Sequence, residues 1–581
     1  MKLVPEQIAE ILSPVITKIA GRPVPVSSLV KPCLDPQFGD YQCNVAMALA
    51  KELKSSPRDI AARIIAEADV SAICDTPQIA GAGFINLRLK KEFLAECLSR
   101  MATENNLGIP AVNQPRRIVM DFSSPNVAKQ MHVGHIRSTI LGDTLARILR
   151  FVGHECVTDN HIGDWGTQFG KLLLGYKEAR LANAGALEAA LEADPVAELE
   201  RLYKLINDRC EAEEKAGQSA AIEASRGELR KLQDGDPENL ALWRRFIELS
   251  KSSFDRVYER LGVTFDHTLG ESFYNPRLKD VVRELQAAQI ARESEGAIVV
   301  FFDGDKELGD KPFLIQKSDG AALYSTTDLA TLKYRLDEWK ADEIIYVTDS
   351  RQQLHFKQLF ATARKWGLDT RLTHVWFGTI LGADNKPIKT RSGEPVKLMD
   401  LLDEAEARAG RLVEDKADFS LEQKKQIARV IGIGSLKYAD LGQNRTLDYV
   451  FDWDKLLSLN GNTAPYLINA YARIRSIFRK GQVTLEGSPD WELVEPQELD
   501  LARHLLRFGE LLQIVLEEYR PHILCTYLFE LAQKYHSFYE HCPVLKVEGR
   551  LRDSRLRLCD LTARTLQTGL GLLGIQTVEQ M

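Results

Sequence analysis

The run Asp121-Phe-Ser-Ser-Pro-Asn-Val-Ala-Lys-Gln-Met-His132-Val-Gly-His135 gathers a lysine, a glycine and two imidazoles three residues apart. Those residue types at that spacing suit a phosphate group. Lys129 supplies a full positive charge, His132 and His135 supply ring N–H donors, and Gly134 lets the backbone approach a ligand. Blander readings exist. A histidine near a helix start is commonly a satisfied surface or core group, and two histidines three apart share a helix face, which is half of a metal site. No carboxylate or cysteine stands at ligand spacing nearby to complete such a site. Pro125, Asn126, Lys129 and Gly134 are useful in a phosphate loop and idle around zinc.

The elements on either side decide where this run sits. Residues 117–122 are short, apolar and β-leaning, which predicts a strand. Residues 136–151 repeat their apolar side chains at helical spacing (Ile140, Leu141, Leu145, Ile148, Leu149), and residues 155–159 read as a second strand. The motif thus lies at the carboxyl edge of the first strand of a βαβ unit, the usual ligand crevice of an open parallel sheet. Helix N-terminal amides add about half a positive charge there.

Composition bounds the rest. A chain of 581 residues, 44% hydrophobic and 27% charged, is long enough for about three to five domains. Nine cysteines without a CxxC pair indicate neither a disulfide framework nor a zinc ribbon, and fit a reducing cytoplasm. Glu6 and Glu10 interrupt the first apolar stretch, against a secretory signal. No segment reaches the roughly 20 apolar residues that span a bilayer. A net charge of −7 argues against general nucleic-acid binding, so any RNA contact must rest on local patches.

The first motif, its continuation Ile136-Arg-Ser-Thr139, and Asp159-Asn-His-Ile-Gly-Asp-Trp-Gly-Thr-Gln-Phe-Gly170 resemble the arginyl-tRNA synthetase family of class I. The resemblance spans almost the whole chain. It implies an α/β fold: a Rossmann-type parallel-sheet catalytic domain with a helical insertion, an N-terminal α+β tRNA-contact domain and a C-terminal all-α anticodon-binding bundle. The expected layout is 1–105 for the N-terminal tRNA-elbow domain, 106–175 and 293–400 for the two halves of the catalytic domain, and 176–292 for the helical insertion. A stem-contact connector over 401–455 and the anticodon domain over 456–581 complete it. Strand-like segments resume at 297–302, and those at 343–349 and 374–381 read as the sheet's second half. Charge runs such as Glu211-Ala-Glu-Glu-Lys215 read as a solvated helix face.

The resemblance also implies the chemistry. Arginine and ATP, with magnesium carried as part of the ATP complex and no tightly bound metal or organic cofactor, give arginyl-adenylate, and the 2′-hydroxyl of the terminal adenosine of tRNA(Arg) then takes the arginyl group. Activation is expected to need bound tRNA, and the family is mostly monomeric. Lys129, His132 and His135 would be catalytic and, with Gly134, would bind ATP. Class I members usually carry a second signature, Lys-Met-Ser-Lys, which this chain lacks; residues 384–393 stand in its place, with Lys389 and Arg391 as basic candidates. Members without it compensate with a lysine before the first motif, here Lys129.

Arginine presents a planar fork of donors, which calls for carboxylates and carbonyl-type acceptors. Asp121, Ser124, Asn126, Tyr324, Asp328 and Gln352 match family positions for that pocket, with Asp328 as the main guanidinium partner and Tyr324 as a wall. Asp121 replaces the glutamate of some members. From residue type alone, Asp328 would equally cap a helix beginning near Leu329, and Asn126 would merely turn its loop. For tRNA, Phe84 and Asn86 match elbow contacts, and Tyr466, Arg473 and Met581 match anticodon contacts, the motifs being Trp453-Asp-x-x-Leu, Gly461-Asn-Thr-Ala-Pro-Tyr-Leu467 and Ala470-Tyr-Ala-Arg473. Asn469 stands where many members have a tyrosine. Phe84 and the tyrosines also suit plain core packing. Two other classes compete: a small nucleotidyltransferase, which shares the His-x-Gly-His loop but is much shorter, and a non-catalytic RNA-binding relative, which would have lost His132, His135 or Lys129.

Overall fold

A computed structural model describes residues 2–33, 35–389, 395–485 and 487–581. They form two compact units, one from residues 1–113, 459–571 and 576–581, the other from residues 114–458 and 572–575.

The first unit begins with α1 (Val4–Ala20), whose apolar face Ile8, Leu12, Ile16 and Ile19 is buried, and continues through β1 (Val30–Pro32), β2 (Tyr41–Cys43), α2 (Val45–Leu53), α3 (Pro57–Glu67), β3 (Gln78–Ala80), β4 (Phe84–Leu87) and α4 (Lys91–Thr103). The strands form an antiparallel sheet in the order β1-β2-β4-β3.

The second unit is built around β5 (Arg117–Phe122), α5 (Val133–Phe151) and β6 (Glu155–Asp159), the expected βαβ unit. A helical insertion follows: α6 (Gln168–Ala193), α7 (Pro195–Lys215), α8 (Ala220–Gln233) and α9 (Pro237–Leu261). It starts eight residues before the expected 176, inside the second motif. Non-helical dihedrals at Asn183 break α6, and the Asn183 amide oxygen recaps the helix by accepting from the Ala186 N–H at 3.0 Å. Then come α10 (Glu271–Tyr274), α11 (Leu278–Ala287), β7 (Ala291–Ser294), β8 (Ala297–Val300), β9 (Phe313–Gln316), α12 (Tyr324–Asp337), β10 (Glu343–Val347), α13 (Gln353–Lys365) and β11 (Arg371–His374). The unit closes with β12 (Ile380–Leu381), α14 (Leu398–Arg411), α15 (Leu421–Leu441), β13 (Tyr449–Val450) and α16 (Trp453–Leu456).

The main sheet has the order β11-β10-β5-β6, all parallel. β5 has β6 on one side and β10 on the other, so the order reverses at β5 and opens a crevice at the strands' carboxyl ends. The strand-like residues 297–302 lie outside this sheet: β8 pairs antiparallel with β7 and β9 in a separate ribbon. Residues 374–381, expected as one strand of this sheet, are not one strand. The edge strand ends at His374, and Ile380–Leu381 instead pairs with Tyr449–Val450. Val375 and Phe377 are buried, and the backbone there still follows β10 beyond the edge strand's end: the Val375 N–H donates to the Tyr346 carbonyl at 2.8 Å, and Phe377 bridges Asp349.

The first unit resumes with α17 (Ala464–Gly481), α18 (Pro496–Leu506), α19 (Phe508–Glu518), α20 (His522–His541) and α21 (Gly549–Leu572). These helices pack on the N-terminal module. Tyr41 donates to Glu510, Arg503 pairs with Asp40 at 2.9 Å, and the Trp491 indole donates to Ser99 at 2.8 Å. Among the described residues no helix is long and apolar enough to cross a membrane.

Candidate active site

The loop between β5 and α5 is held in a conformation that its residues do not favour. Ser123, Ser124 and Ala128 all have positive φ, at 74°, 47° and 61°, each costing about 1–3 kcal/mol. Hydrogen bonds from several elements over-determine it. The Ser123 N–H donates to Ser138 Oγ at 2.9 Å, that of Ser124 to Asn160 Oδ1 at 3.1 Å, that of Val127 to the Gly163 carbonyl at 3.0 Å and that of Ala128 to Ser250 Oγ at 3.0 Å. Asn160 and Gly163 belong to the second motif and Ser250 to the helical insertion. Both are therefore scaffolding for the loop. Gly163 lets the Asn126 amide oxygen lie against it, since a Cβ there would displace that side chain.

His132 is the N-cap of α5. Its Nδ1 accepts from the Gly134 N–H at 3.0 Å, and His135 Nδ1 lies 3.1 Å from the His132 N–H. His135 Nδ1 is also 3.3 Å from the His132 carbonyl. The shorter contact governs, since a helix-start amide needs an acceptor. Both rings thus carry their proton on Nε2, leaving two Nε2–H donors with ring centroids 4.1 Å apart. Burial, then the charges of Arg351 and Lys129, push His132 below the usual histidine pKa; burial and His132 push His135 down to about 4. Both are neutral near pH 7.

Gly134 also serves the cap itself. A Cβ at 134 would lie 2.8 Å from His132 Cε1 and 2.9 Å from Nδ1, so the glycine makes room for the capping ring. Gly134→Ala is expected to turn that ring out of its cap, lowering stability by about 1 kcal/mol. Its kcat should fall ten- to a hundredfold, since a misplacement of about 1 Å can cost a hundredfold. Thermal melting and steady-state kinetics check this; wild-type kcat would remove the role given to the cap.

Lys129 is exposed, its ammonium 5.8 Å from the centre of the Tyr203 ring on α7. The basic segment also converges here. Its far end, residues 395–398, runs antiparallel to the motif: the Val133 N–H donates to the Val396 carbonyl at 2.9 Å and the Leu398 N–H to the Met131 carbonyl at 2.9 Å. Lys389 is exposed on that segment, and Arg391 lies outside the described residues.

The residues matched to an arginine pocket separate into two groups. Asp121 is committed internally: Oδ1 accepts from Ser124 Oγ at 3.0 Å, and Oδ2 accepts from Arg335 at 2.7 Å, which also donates to Asp159 at 2.7 Å. Arg335 is fully buried. Both oxygens of Asp121 thus carry internal partners, one of which is the Ser124 hydroxyl. Asn126 is exposed on the loop.

On the other side of the crevice α12 begins at Tyr324, so Asp328 stands in its second turn and cannot be the N-cap that residue type alone allowed. Asp328 Oδ2 accepts from His355 Nε2 at 2.6 Å. Tyr324 is 64% exposed, with its ring 5.0 Å from that of His355. Gln352 is exposed at the N-cap of α13.

Three side chains here were not singled out from sequence. Glu271, the first residue of α10, is pushed up to about 7 by burial, with Asp328 and Asp164 acting the same way and His161 opposing. Among the described residues no cation lies at ion-pair distance from it. His355 holds Asp328, and Arg351, bonded to Asp349 at 2.7 Å, bears electrostatically on His132. A carboxyl raised by burial and by a neighbouring carboxylate is a candidate site residue. The sequence around Glu271, an isolated glutamate before two aromatic residues, carried no signal. Among the described residues no group of three or more His, Cys, Asp or Glu is placed to hold a metal ion.

In the first unit, α17 and α20 enclose a concavity of about 520 Å³ lined by Tyr466, Asn469, Arg473, Lys480, His536 and Tyr539. Arg473 is exposed. Near the chain's end Glu579 accepts from the Tyr471 hydroxyl at 2.6 Å, and Met581 is half-buried. Phe84 is half-buried at the start of β4. Asn86 is only 4% exposed, and its amide oxygen accepts from Gln42 at 3.0 Å. In this position Asn86 holds half-buried Gln42.

Three family models match the chain: "tRNA synthetases class I (R), catalytic domain" over residues 97–453, "DALR anticodon binding domain" over 467–581 and "Arginyl tRNA synthetase N terminal domain" over 6–89. The chain is 44% identical to an arginine–tRNA ligase of Picosynechococcus sp., with all of both chains covered, and 47% identical to one of Pseudoalteromonas translucida, with 97% of each covered. Among solved structures it is similar to arginyl-tRNA synthetase of Plasmodium falciparum (TM-score 0.85, 30% identity) and to that of Thermus thermophilus (TM-score 0.84, 26% identity), each with 100% of both chains covered. These full-length matches, with the histidine-capped loop at the switch point of a parallel sheet, show that the chain belongs to the arginyl-tRNA synthetase family, ligases that join arginine to tRNA.

Proposed function

We propose that this chain activates L-arginine with ATP, giving arginyl-adenylate and pyrophosphate, and passes the arginyl group to the 2′-hydroxyl of the terminal adenosine of tRNA(Arg), releasing AMP. The observation that carries the reading is the pair of capped histidines, whose Nδ1 atoms are taken by backbone amides so that both Nε2–H groups remain as donors. Neutral donors fixed at a helix N-terminus suit charge that develops on an α-phosphate during in-line attack by the arginine carboxylate. Lys129, with Lys389 and Arg391 from the basic segment, would neutralise the triphosphate. Magnesium would enter with ATP as part of the substrate, bridging phosphate oxygens without a dedicated protein cage.

Arginine would lie across the crevice, with its α-amino and carboxylate groups toward Ser124 and Asn126 and its guanidinium toward Asp328 and Glu271. Tyr324 would wall the side chain and Gln352 close it. A lysine would meet the same carboxylates with a point charge in place of a fork. Tyr466, Arg473 and Met581 would contact unstacked anticodon bases, where aromatic faces and guanidinium planes are what such bases need. Phe84, on its half-buried edge, would contact the tRNA elbow. The chain would work as a monomer in the cytoplasm, and its nine free thiols fit a reducing compartment.

The purified protein is expected to exchange labelled pyrophosphate into ATP only when arginine and tRNA(Arg) are both present. Exchange with a different amino acid would overturn the assignment, and exchange without tRNA would remove its tRNA dependence.

A further inference from the structure

Asp328 stands on the second turn of α12 with its side chain one-quarter exposed, at the mouth of the crevice. A carboxylate so placed turns freely about its side-chain bonds unless something holds it. What holds it is His355. The His355 Nε2–H donates to Oδ2 at 2.6 Å, shorter than an ordinary neutral N–H···O bond. The imidazole is itself fixed, its side chain 14% exposed and caged by three rings: Tyr324 at 5.0 Å, Phe313 at 5.6 Å and Phe356 at 5.3 Å between centroids.

From the juxtaposition of this caged imidazole with Asp328, we propose that His355 is a positioning residue for arginine recognition, orienting the Asp328 carboxylate for the guanidinium. The proposal rests on the reading of Asp328 as the guanidinium partner. Two arrangements are conceivable for a histidine beside a substrate-binding carboxylate. In one it occupies the substrate's seat and leaves when substrate arrives; in the other it stays and steers. The ring cage favours the second, because departure would break three aromatic contacts at once. The acceptor count agrees. An ionised carboxylate has about four lone-pair sites, the histidine uses one, and the rest suffice for a two-pronged donor.

Placement explains how both groups serve one ligand. His355 is three residues beyond Gln352, so the two share a face at the first turn of α13. Tyr324 and Asp328 are four apart and share a face of α12. One face of each helix therefore brings the pocket residues and their positioning group together. Pre-oriented acceptors bind a rigid fork more tightly because less freedom is lost on binding. The effect should fall on KM for arginine, leaving kcat largely untouched, because the reacting carboxylate and phosphate lie elsewhere.

The test compares full-length wild type with His355→Leu, His355→Gln, Asp328→Asn and the double variant His355→Leu/Asp328→Asn, measuring KM for arginine, kcat and tRNA affinity, with melting curves as a folding control. His355→Leu is expected to raise KM for arginine ten- to thirtyfold, with kcat within threefold and tRNA affinity unchanged. His355→Gln, which restores an N–H at a similar reach, should return KM to within threefold of wild type, and the double variant should bind arginine no worse than Asp328→Asn alone. An unchanged KM in His355→Leu, failure of glutamine to rescue, or multiplying losses in the double variant would each overturn the proposal. If the leucine variant fails to fold, the glutamine variant alone decides, a thirtyfold rise in KM there counting against the role. Should Asp328→Asn leave KM unchanged, the pocket reading itself falls; should it raise KM while His355→Leu does not, only the role of His355 falls.

Discussion

Lys129→Ala is expected to lose a hundred- to a thousandfold in the rate of arginine-dependent pyrophosphate exchange while keeping its affinity for tRNA. The size follows from what one well-placed group contributes to developing charge, about 3–4 kcal/mol. The site has few other fixed charges to compensate. Both imidazoles are neutral, with His135 held down at about 4 by burial and by its neighbour. Arg351 is tied to Asp349 at 2.7 Å, and Lys389 sits on an exposed segment. Lys129 follows directly on the over-determined residues 123–128, so its backbone origin is fixed even though its ammonium rests over Tyr203. A rigid origin with a free head lets one point charge reach the phosphates when ATP arrives. Lys389→Ala should cost less, about tenfold, because its loss of position on binding is larger. Single-turnover exchange and filter binding of tRNA separate the two quantities. An unchanged rate in Lys129→Ala would hand the role to Lys389 or Arg391.

How much of this site was readable in the sequence depends on where each partner lies. The βαβ unit was legible because the period of apolar residues changes from strand-like to helical across one loop, and β6 falls at the expected residues 155–159. The antiparallel ribbon β7–β9 was not, since a short apolar run announces a buried strand without naming its sheet. Arg335 secures Asp121 from 214 positions away, and His355 secures Asp328 from 27. No local pattern connects such pairs. The capping role beside Gly134 was not legible for a related reason: helix caps are commonly Ser, Thr, Asp or Asn, so a histidine cap with a glycine beside it leaves no familiar trace. What remained legible was the chemistry carried by contiguous residues, and what was lost was the partner that fixes each of them.

Glu271→Gln is expected to raise KM for arginine by roughly thirty- to a thousandfold at pH 8, corresponding to about 2–4 kcal/mol for removing one member of a desolvated charge pair. Glu271 is pushed up to about 7 by burial first, with Asp328 and Asp164 adding to it. A guanidinium placed between Glu271 and Asp328 would reverse both causes, so arginine binding should release a proton. Below pH 7 that proton must be removed before the cation binds. KM for arginine in the wild type should therefore be flat above pH 7 and rise about tenfold per pH unit below it, while Glu271→Gln should be flat throughout. The same carboxyl makes a stability argument of opposite sign. Its folded pKa exceeds the unfolded value, so its contribution to stability is present below about 4.5 and lost as pH rises through about 7. Replacing it with glutamine should thus stabilise the ligand-free protein at pH 8, on the order of 2 kcal/mol, and change little at pH 4.5. Saturating arginine should erase that advantage in the wild type's favour, since the substrate's charge supplies the missing partner. A wild-type KM independent of pH between 6 and 8, or a glutamine variant less stable than wild type at pH 8, would show that Glu271 does not face the guanidinium.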